Sequence, residues 1–122
     1  MTFDNLTPML RTWDLPGSIE FYRRVLGFEC KAHDPEWGWA SLTCGSVTLM
    51  FSGPNEHEGD KAPAFTGSLY FRVGDVDSLW LRLKDQARVA YPIETFEYRM
   101  REFAIYDNNG YLLQFGQAVS GP

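Results

Sequence analysis

Two arginines, Arg11 and Arg72, lie 61 residues apart, and each stands four positions after a small hydroxyl residue, Thr7 and Ser68. In a strand, side chains four apart share a face, so each arginine is expected beside its hydroxyl. A guanidinium there could grip a carboxylate or phosphate through two parallel hydrogen bonds. It could equally pair with Glu102 or another acid and hold the structure together. Glu102 is the best candidate for a base that works without a metal, provided its strand turns it to the same face. Flanked by Arg101 and Phe103, it reads more simply as an exposed strand carboxylate paired with an arginine. Trp37, Trp39, Phe51 and Tyr70 could wall a small-molecule pocket, or fill a core or an interface.

Other chemistry is poorly served. There is no G-x-S-x-G, no glycine-rich phosphate loop and no Cys–His pair in a recognisable context. His33 sits beside Asp34-Pro35, and His57 lies in Asn55-Glu-His-Glu-Gly-Asp60. Adjacent residues on a loop rarely converge on one ion, so that stretch reads as a solvated acidic loop. Cys30 and Cys44 form no C-x-x-C pair and are expected to be buried free thiols in a reducing compartment.

The elements that must position these residues recur. Thr7-Pro-Met-Leu-Arg11-Thr-Trp-Asp14-Leu is echoed by Ser68-Leu-Tyr-Phe-Arg72-Val-Gly-Asp75-Val at the same offset of 61, in a chain of 122. That spacing means two copies of one module. Leu6 to Trp13 reads as a strand, and Asp14 as the N-cap of a helix with Pro16 in its first turn. Leu15, Ile19, Tyr22 and Leu26 form that helix's apolar face, Gly27 ends it, and Trp13 is expected to pack over its start. Phe28 to His33, Trp37 to Cys44 and Ser46 to Ser52 read as strands. In the second copy Ser68 to Val73 is a strand and Asp75 a cap. Val76, Leu79, Trp80 and Leu83 form the buried helix face. Arg88 to Phe96, Arg101 to Asp107 and Tyr111 to Gln117 are strands, the last two joined by an Asp107-Asn-Asn-Gly110 hairpin turn. Each copy is therefore βαβββ, over about 5–53 and 66–118, with an acidic linker over 54–65.

Bulk properties narrow the partners. A hydrophobic share of 44% excludes a disordered chain. The formal charge of −5 argues against nucleic acid and anionic membranes. No apolar run is long enough to span a bilayer and no signal segment is visible, so a cytoplasmic location is expected. A module of about 60 residues is marginal alone. Exposed sheet edges and apolar faces predict a two-fold homodimer.

The ordered set of Met9-Leu-Arg-Thr-Trp-Asp-Leu, Ser18-Ile-Glu-Phe-Tyr-Arg-Arg-Val-Leu-Gly-Phe28 and Phe103-Ala-Ile-Tyr-Asp-Asn-Asn-Gly-Tyr-Leu-Leu-Gln-Phe115 resembles the vicinal oxygen chelate superfamily. That superfamily includes glyoxalase I, extradiol dioxygenases and bleomycin resistance proteins. The resemblance implies an α+β fold in which two βαβββ modules curl a mixed sheet into a cup. It places the four metal-ligand positions of the family's enzymes on Thr7, Leu49 (or Met50), Ser68 and Gln114. Only Gln114 is a good donor for a divalent ion, so no metal and no cofactor are expected. The resemblance also associates Arg11 with an anionic part of a substrate. Arg11, Trp37, Trp39, Phe51, Tyr70, Arg72 and Gln114 are then the candidate ligand contacts. The reading that follows is a metal-free small-molecule-binding protein that sequesters an anionic or aromatic ligand in the cup, more a binder than an enzyme. The alternatives are a glyoxalase-like lyase or isomerase with an atypical site, and an interaction module whose pocket is vestigial.

Overall fold

The structure, a computed structural model, describes residues 1–55, 59 and 61–120. The chain divides into two compact units, Met1–Ala64 and Phe65–Pro122. The first holds β1 (Met9–Arg11), α1 (Leu15–Glu20), a π-helical turn (Phe21–Val25), β2 (Glu29–Asp34), β3 (Trp39–Cys44) and β4 (Val47–Ser52). The second holds β5 (Leu69–Arg72), α2 (Val76–Leu83), β6 (Arg88–Thr95), β7 (Met100–Tyr106) and β8 (Leu112–Ala118). Each unit is βαβββ and folds into one four-stranded sheet, ordered β1-β4-β3-β2 or β5-β8-β7-β6. In both, the first strand runs parallel to the last and the other pairs are antiparallel. The fold class is therefore the expected α+β, with mixed sheets.

The same local devices start both helices. Asp14 accepts from the Gly17 N–H at 3.0 Å, and a Cβ on Gly17 would fall 2.1 Å from the Asp14 carboxylate. Asp75 accepts from the Ser78 N–H at 3.2 Å and its hydroxyl at 2.8 Å. The hydroxyl bond first, then the backbone one, holds the Asp75 carboxyl below its usual range. At the last hairpin Asp107 Oδ1 accepts the N–H groups of Asn109 and Tyr111 at 2.8 and 2.9 Å.

Strand alternation gives each sheet one face toward its helix and one away from it, the open face. In the first unit Leu10, Ala40, Leu42, Leu49 and Phe51 are buried. Tyr22 packs on Phe51 with ring centroids 4.9 Å apart. In the second, Phe115 stacks on Phe71 and Phe103 at 5.3 and 5.1 Å, and Trp80 of α2 meets Phe103 at 5.2 Å.

Several local expectations are corrected. β1 is only three residues long, because Pro8 brings no N–H to a ladder, so Thr7 precedes the strand. β3 begins at Trp39 rather than Trp37. Asp34 Oδ1 accepts both the Glu36 and Trp37 N–H groups at 3.1 Å, which extends the turn and leaves Trp37 79% exposed. The buried face of α1 centres on Ser18 and Tyr22, not Leu15 and Ile19, since the Ser18 hydroxyl bonds Thr12 at 2.8 Å. Trp13 is exposed rather than packed. Both cysteines are free, but Cys44 is exposed at the end of β3 and Cys30 is half-buried. His57 lies outside the described residues. Among those described, no helix is long and apolar enough to cross a membrane.

Replacing Asp14 with Ala should lower stability by about 1 kcal/mol, the usual cost of an N-cap. Urea unfolding should show a lower midpoint at unchanged slope. An unchanged midpoint would assign the start of α1 to the Thr12–Ser18 contact instead.

Candidate functional site

On the open face of the second sheet, register sets the neighbours. Tyr70 stands beside Gln114, Arg72 beside Gly116, Gln114 beside Ala104, and Gly116 beside Glu102. Tyr91 joins them through a bulge. Val89 pairs with Ile105 on the helix side, yet Tyr91, two residues on, pairs with Ala104 on the open side. The extra residue in β6 re-aims the tyrosine.

These side chains form one hydrogen-bonded chain. The Ser68 hydroxyl donates to Gln114 Oε1. Gln114 Nε2 donates to the Tyr91 oxygen at 2.8 Å, and the Tyr91 hydroxyl donates to Glu102 Oε2. The Tyr70 hydroxyl donates to Glu102 Oε1 at 2.8 Å. Glu102 is 1% exposed and has no ion pair among the described residues. It is therefore not the exposed, arginine-paired carboxylate that its flanks suggested. Arg101 points the other way and binds Asp77 at 2.9 Å.

Gly116 makes the Tyr70 contact possible. A Cβ there would lie 2.1 Å from the Tyr70 hydroxyl, so only glycine lets the ring cross β8 to reach Glu102. Desolvation, then the bond to Glu102 and its charge, pushes Tyr70 up to about 12. Tyr91 is raised by the same causes, partly offset by Gln114. Tyr98 is raised as well, by desolvation and then by Glu102. At neutral pH these phenols are donors, not bases.

The other candidates are scattered. Trp39 lies on the open face of the first sheet, opposite Ser52. Arg11 shares that face and donates Nη1 to the Gly59 carbonyl at 2.7 Å. Phe51 and Leu49 are core residues, turned to the helix side because their alternation partners Leu10 and Ala40 are. Neither can be a pocket wall or a ligand position. Met50, opposite Met9, is an open-face residue of β4 and the counterpart of Gln114. Trp37 belongs to a turn, and His33 is exposed near the end of β2.

A divalent ion wants carboxylate, imidazole or amide oxygen. Thr7 and Met50 in one unit and Ser68 and Gln114 in the other offer one amide carbonyl, which Ser68 already occupies. Among the described residues no three His, Cys, Asp or Glu side chains cluster. The residues present do not fit the metal that this architecture holds in enzymes.

A profile of the glyoxalase/bleomycin resistance protein/dioxygenase superfamily matches residues 4–115. The chain belongs to this superfamily, the vicinal oxygen chelate group. No curated protein matches the sequence. Among solved structures, a glyoxalase/bleomycin resistance protein/dioxygenase from Nocardioides superposes with TM-score 0.80 at 18% identity, over 100% of this chain and 88% of that one. A bleomycin-binding protein from Streptomyces verticillus, complexed with copper(II)-bleomycin, gives 0.72 at 24% identity, over 98% and 99% of the two chains. A lactoylglutathione lyase from Agrobacterium tumefaciens gives 0.73 at 21%, over 93% and 92%. At such identities the superfamily's fold is shared, and the chemistry must be argued from the side chains.

An alkaline titration followed by ultraviolet absorbance tests the tyrosine assignment. Tyr70 should still be protonated at about pH 11, past the ordinary phenol value of about 10. Unfolded tyrosines lose their protons first. The raised value therefore favours the fold below about pH 10, and that contribution is lost as pH rises through the folded value. Gly116→Ala should displace Tyr70 and return its titration toward 10, a result that an unperturbed Tyr70 in that variant would contradict.

Proposed function

We propose that this superfamily member is a small-molecule-binding protein that works without a metal. It would hold an anionic or aromatic ligand against its open sheet faces rather than transform it. The state of Gln114 carries the proposal. It is the one good donor at the four family ligand positions, and it lies within the hydrogen-bonded chain, its carbonyl accepting from Ser68 and its amide donating to Tyr91. An ion at this position would compete with Ser68 for that carbonyl and would gain no carboxylate or imidazole from the other three positions.

Arg72 supports the anionic part of the reading. It lies on the open face, exposed, and makes no ion pair or side-chain hydrogen bond among the described residues. A carboxylate or phosphate could take it bidentately. Arg11 donates to the Gly59 carbonyl, so its removal should act on that contact and on the ligand together. One observation favours a second reading, a metal-independent lyase or isomerase. Glu102 is a buried carboxylate on the open face, and it could take a proton from a substrate once Tyr70 moved aside. Self-association belongs to the same proposal, because β1, β2, β5 and β6 are sheet edges. A homodimer would sediment at about 28 kDa, twice the chain's 14.0 kDa.

Elemental analysis and thermal melts with nickel, zinc, manganese and iron test the metal-free claim. A bound ion would raise apparent stability by about 2.7 kcal/mol at a hundred times its dissociation constant, and no such gain is expected. One equivalent of metal, lost in Gln114→Ala, would move the glyoxalase-like enzyme into first place. Charged metabolites screened by thermal shift should include anions whose binding falls by about 1–3 kcal/mol in Arg72→Ala.

A further inference from the structure

We infer that the open face of the second sheet is a site for an organic ammonium group, with Glu102 as its counter-charge and Tyr70 as the side chain it displaces. This rests on the ligand-binding proposal and names the ligand's chemistry at that site. A buried carboxylate is normally paired with a cation. Glu102 has two phenols instead, a neutral arrangement that leaves its charge unmatched.

The surroundings select for positive charge. Glu94 stands directly across from Glu102 on β6. Tyr70, Tyr91 and Tyr98 all feel the Glu102 charge. Tyr98 stacks on Phe96 at 5.4 Å, and Phe96 meets Tyr91 edge-on at 5.8 Å. These rings gather beside the acid, and an ammonium group drawn to it would lie within reach of them for cation–π attraction.

Tyr70 is the wall that would give way. It is 40% exposed on an edge strand, and among the described residues its side-chain hydrogen bond is the one to Glu102. An ammonium N–H replacing the phenol would exchange a neutral donor for a charged one, and such bonds are about twice as strong. The freed ring would then flank the cation. Arg72 pairs with Gly116, and Gly116 with Glu102, so Arg72 lies two strands from the acid. It is placed for an anionic group on the same ligand rather than against the ammonium.

The test is calorimetric titration of the full chain with benzylammonium, benzyl alcohol and phenylacetate. Benzylammonium should bind at least about tenfold tighter than the isosteric alcohol, and Glu102→Gln should abolish that preference. Tyr70→Phe, which removes the competing donor, should keep or increase it. Equal binding of ammonium and alcohol, or a preference that survives Glu102→Gln, would overturn the inference. If Glu102→Gln does not fold, the ring resonances of Tyr70, Tyr91 and Tyr98 decide. Benzylammonium must shift them in the unaltered protein, and unmoved rings sink the idea. Phenylacetate binding that weakens in Arg72→Ala, without ammonium preference, would overturn this inference and leave the ligand-binding proposal standing. Stoichiometric metal would defeat that proposal independently.

Discussion

In each unit the first strand lies parallel beside the last, and that register decides what every side chain can touch. Tyr70 faces out with Gln114 because Phe71 faces in with Phe115. A slip of one residue would invert both sets, burying the polar chain and exposing the aromatic stack. The stack of Phe71, Phe115, Phe103 and Trp80 therefore holds the register, and through it the site. Hydrophobic packing on one face is what makes the hydrogen bonds on the other possible.

Those hydrogen bonds are shaped by a single charge. An ionised carboxylate only accepts hydrogen bonds, so both phenols must turn their protons toward Glu102. Tyr91 then offers a lone pair to Gln114 Nε2, and Gln114 offers its carbonyl to Ser68. Each donor direction follows from the one before it. The chain draws on both edge strands and both central strands of the sheet, so it braces the unit as well as lining its open face. Removing a phenol leaves the buried Glu102 partly unsatisfied, which costs more than the lost bond alone.

Much of the architecture could be read from residue order. The repeat at offset 61 located β1, β5, both caps and both helices, because turns, caps and alternation are local properties. The resemblance to the vicinal oxygen chelate group was legible in the same stretches. The site was only half legible. Alternation put Tyr70 and Arg72 with Ser68 on one face. It could not place Tyr91, because a bulge depends on pairing with β7 and leaves no mark in β6 itself. Glu102 was read as exposed because its flanks are Arg101 and Phe103, whereas its partners come from β5 and β6. Phe51 stayed open between pocket wall and core because a two-residue period says which residues share a face, not which face meets the helix. The clearest signal passed over was Gly116 within a strand, where a glycine often marks the close approach of another group.

The two copies share strand order and register and differ in the side chains that these positions carry. The bulge of β6 has a twin in β2, where Cys30 pairs with Leu42 on the helix side and Ala32 with Ser41 on the open side. By register, Ala32 is the counterpart of Tyr91, Met9 of Tyr70, Met50 of Gln114, Trp39 of Glu102 and Ser52 of Gly116. The first copy therefore presents methionine, tryptophan and small side chains where the second presents a carboxylate ringed by phenols. One face suits apolar and aromatic surface, the other a charged hydrogen-bonding group. Since the strand order and even the bulge persist, the backbone does not select between these chemistries. A fold likeness to a lyase and to a bleomycin-binding protein cannot select between them either. The choice rests on those five register positions, and in this chain only the second copy fills them with groups able to bear or answer a charge.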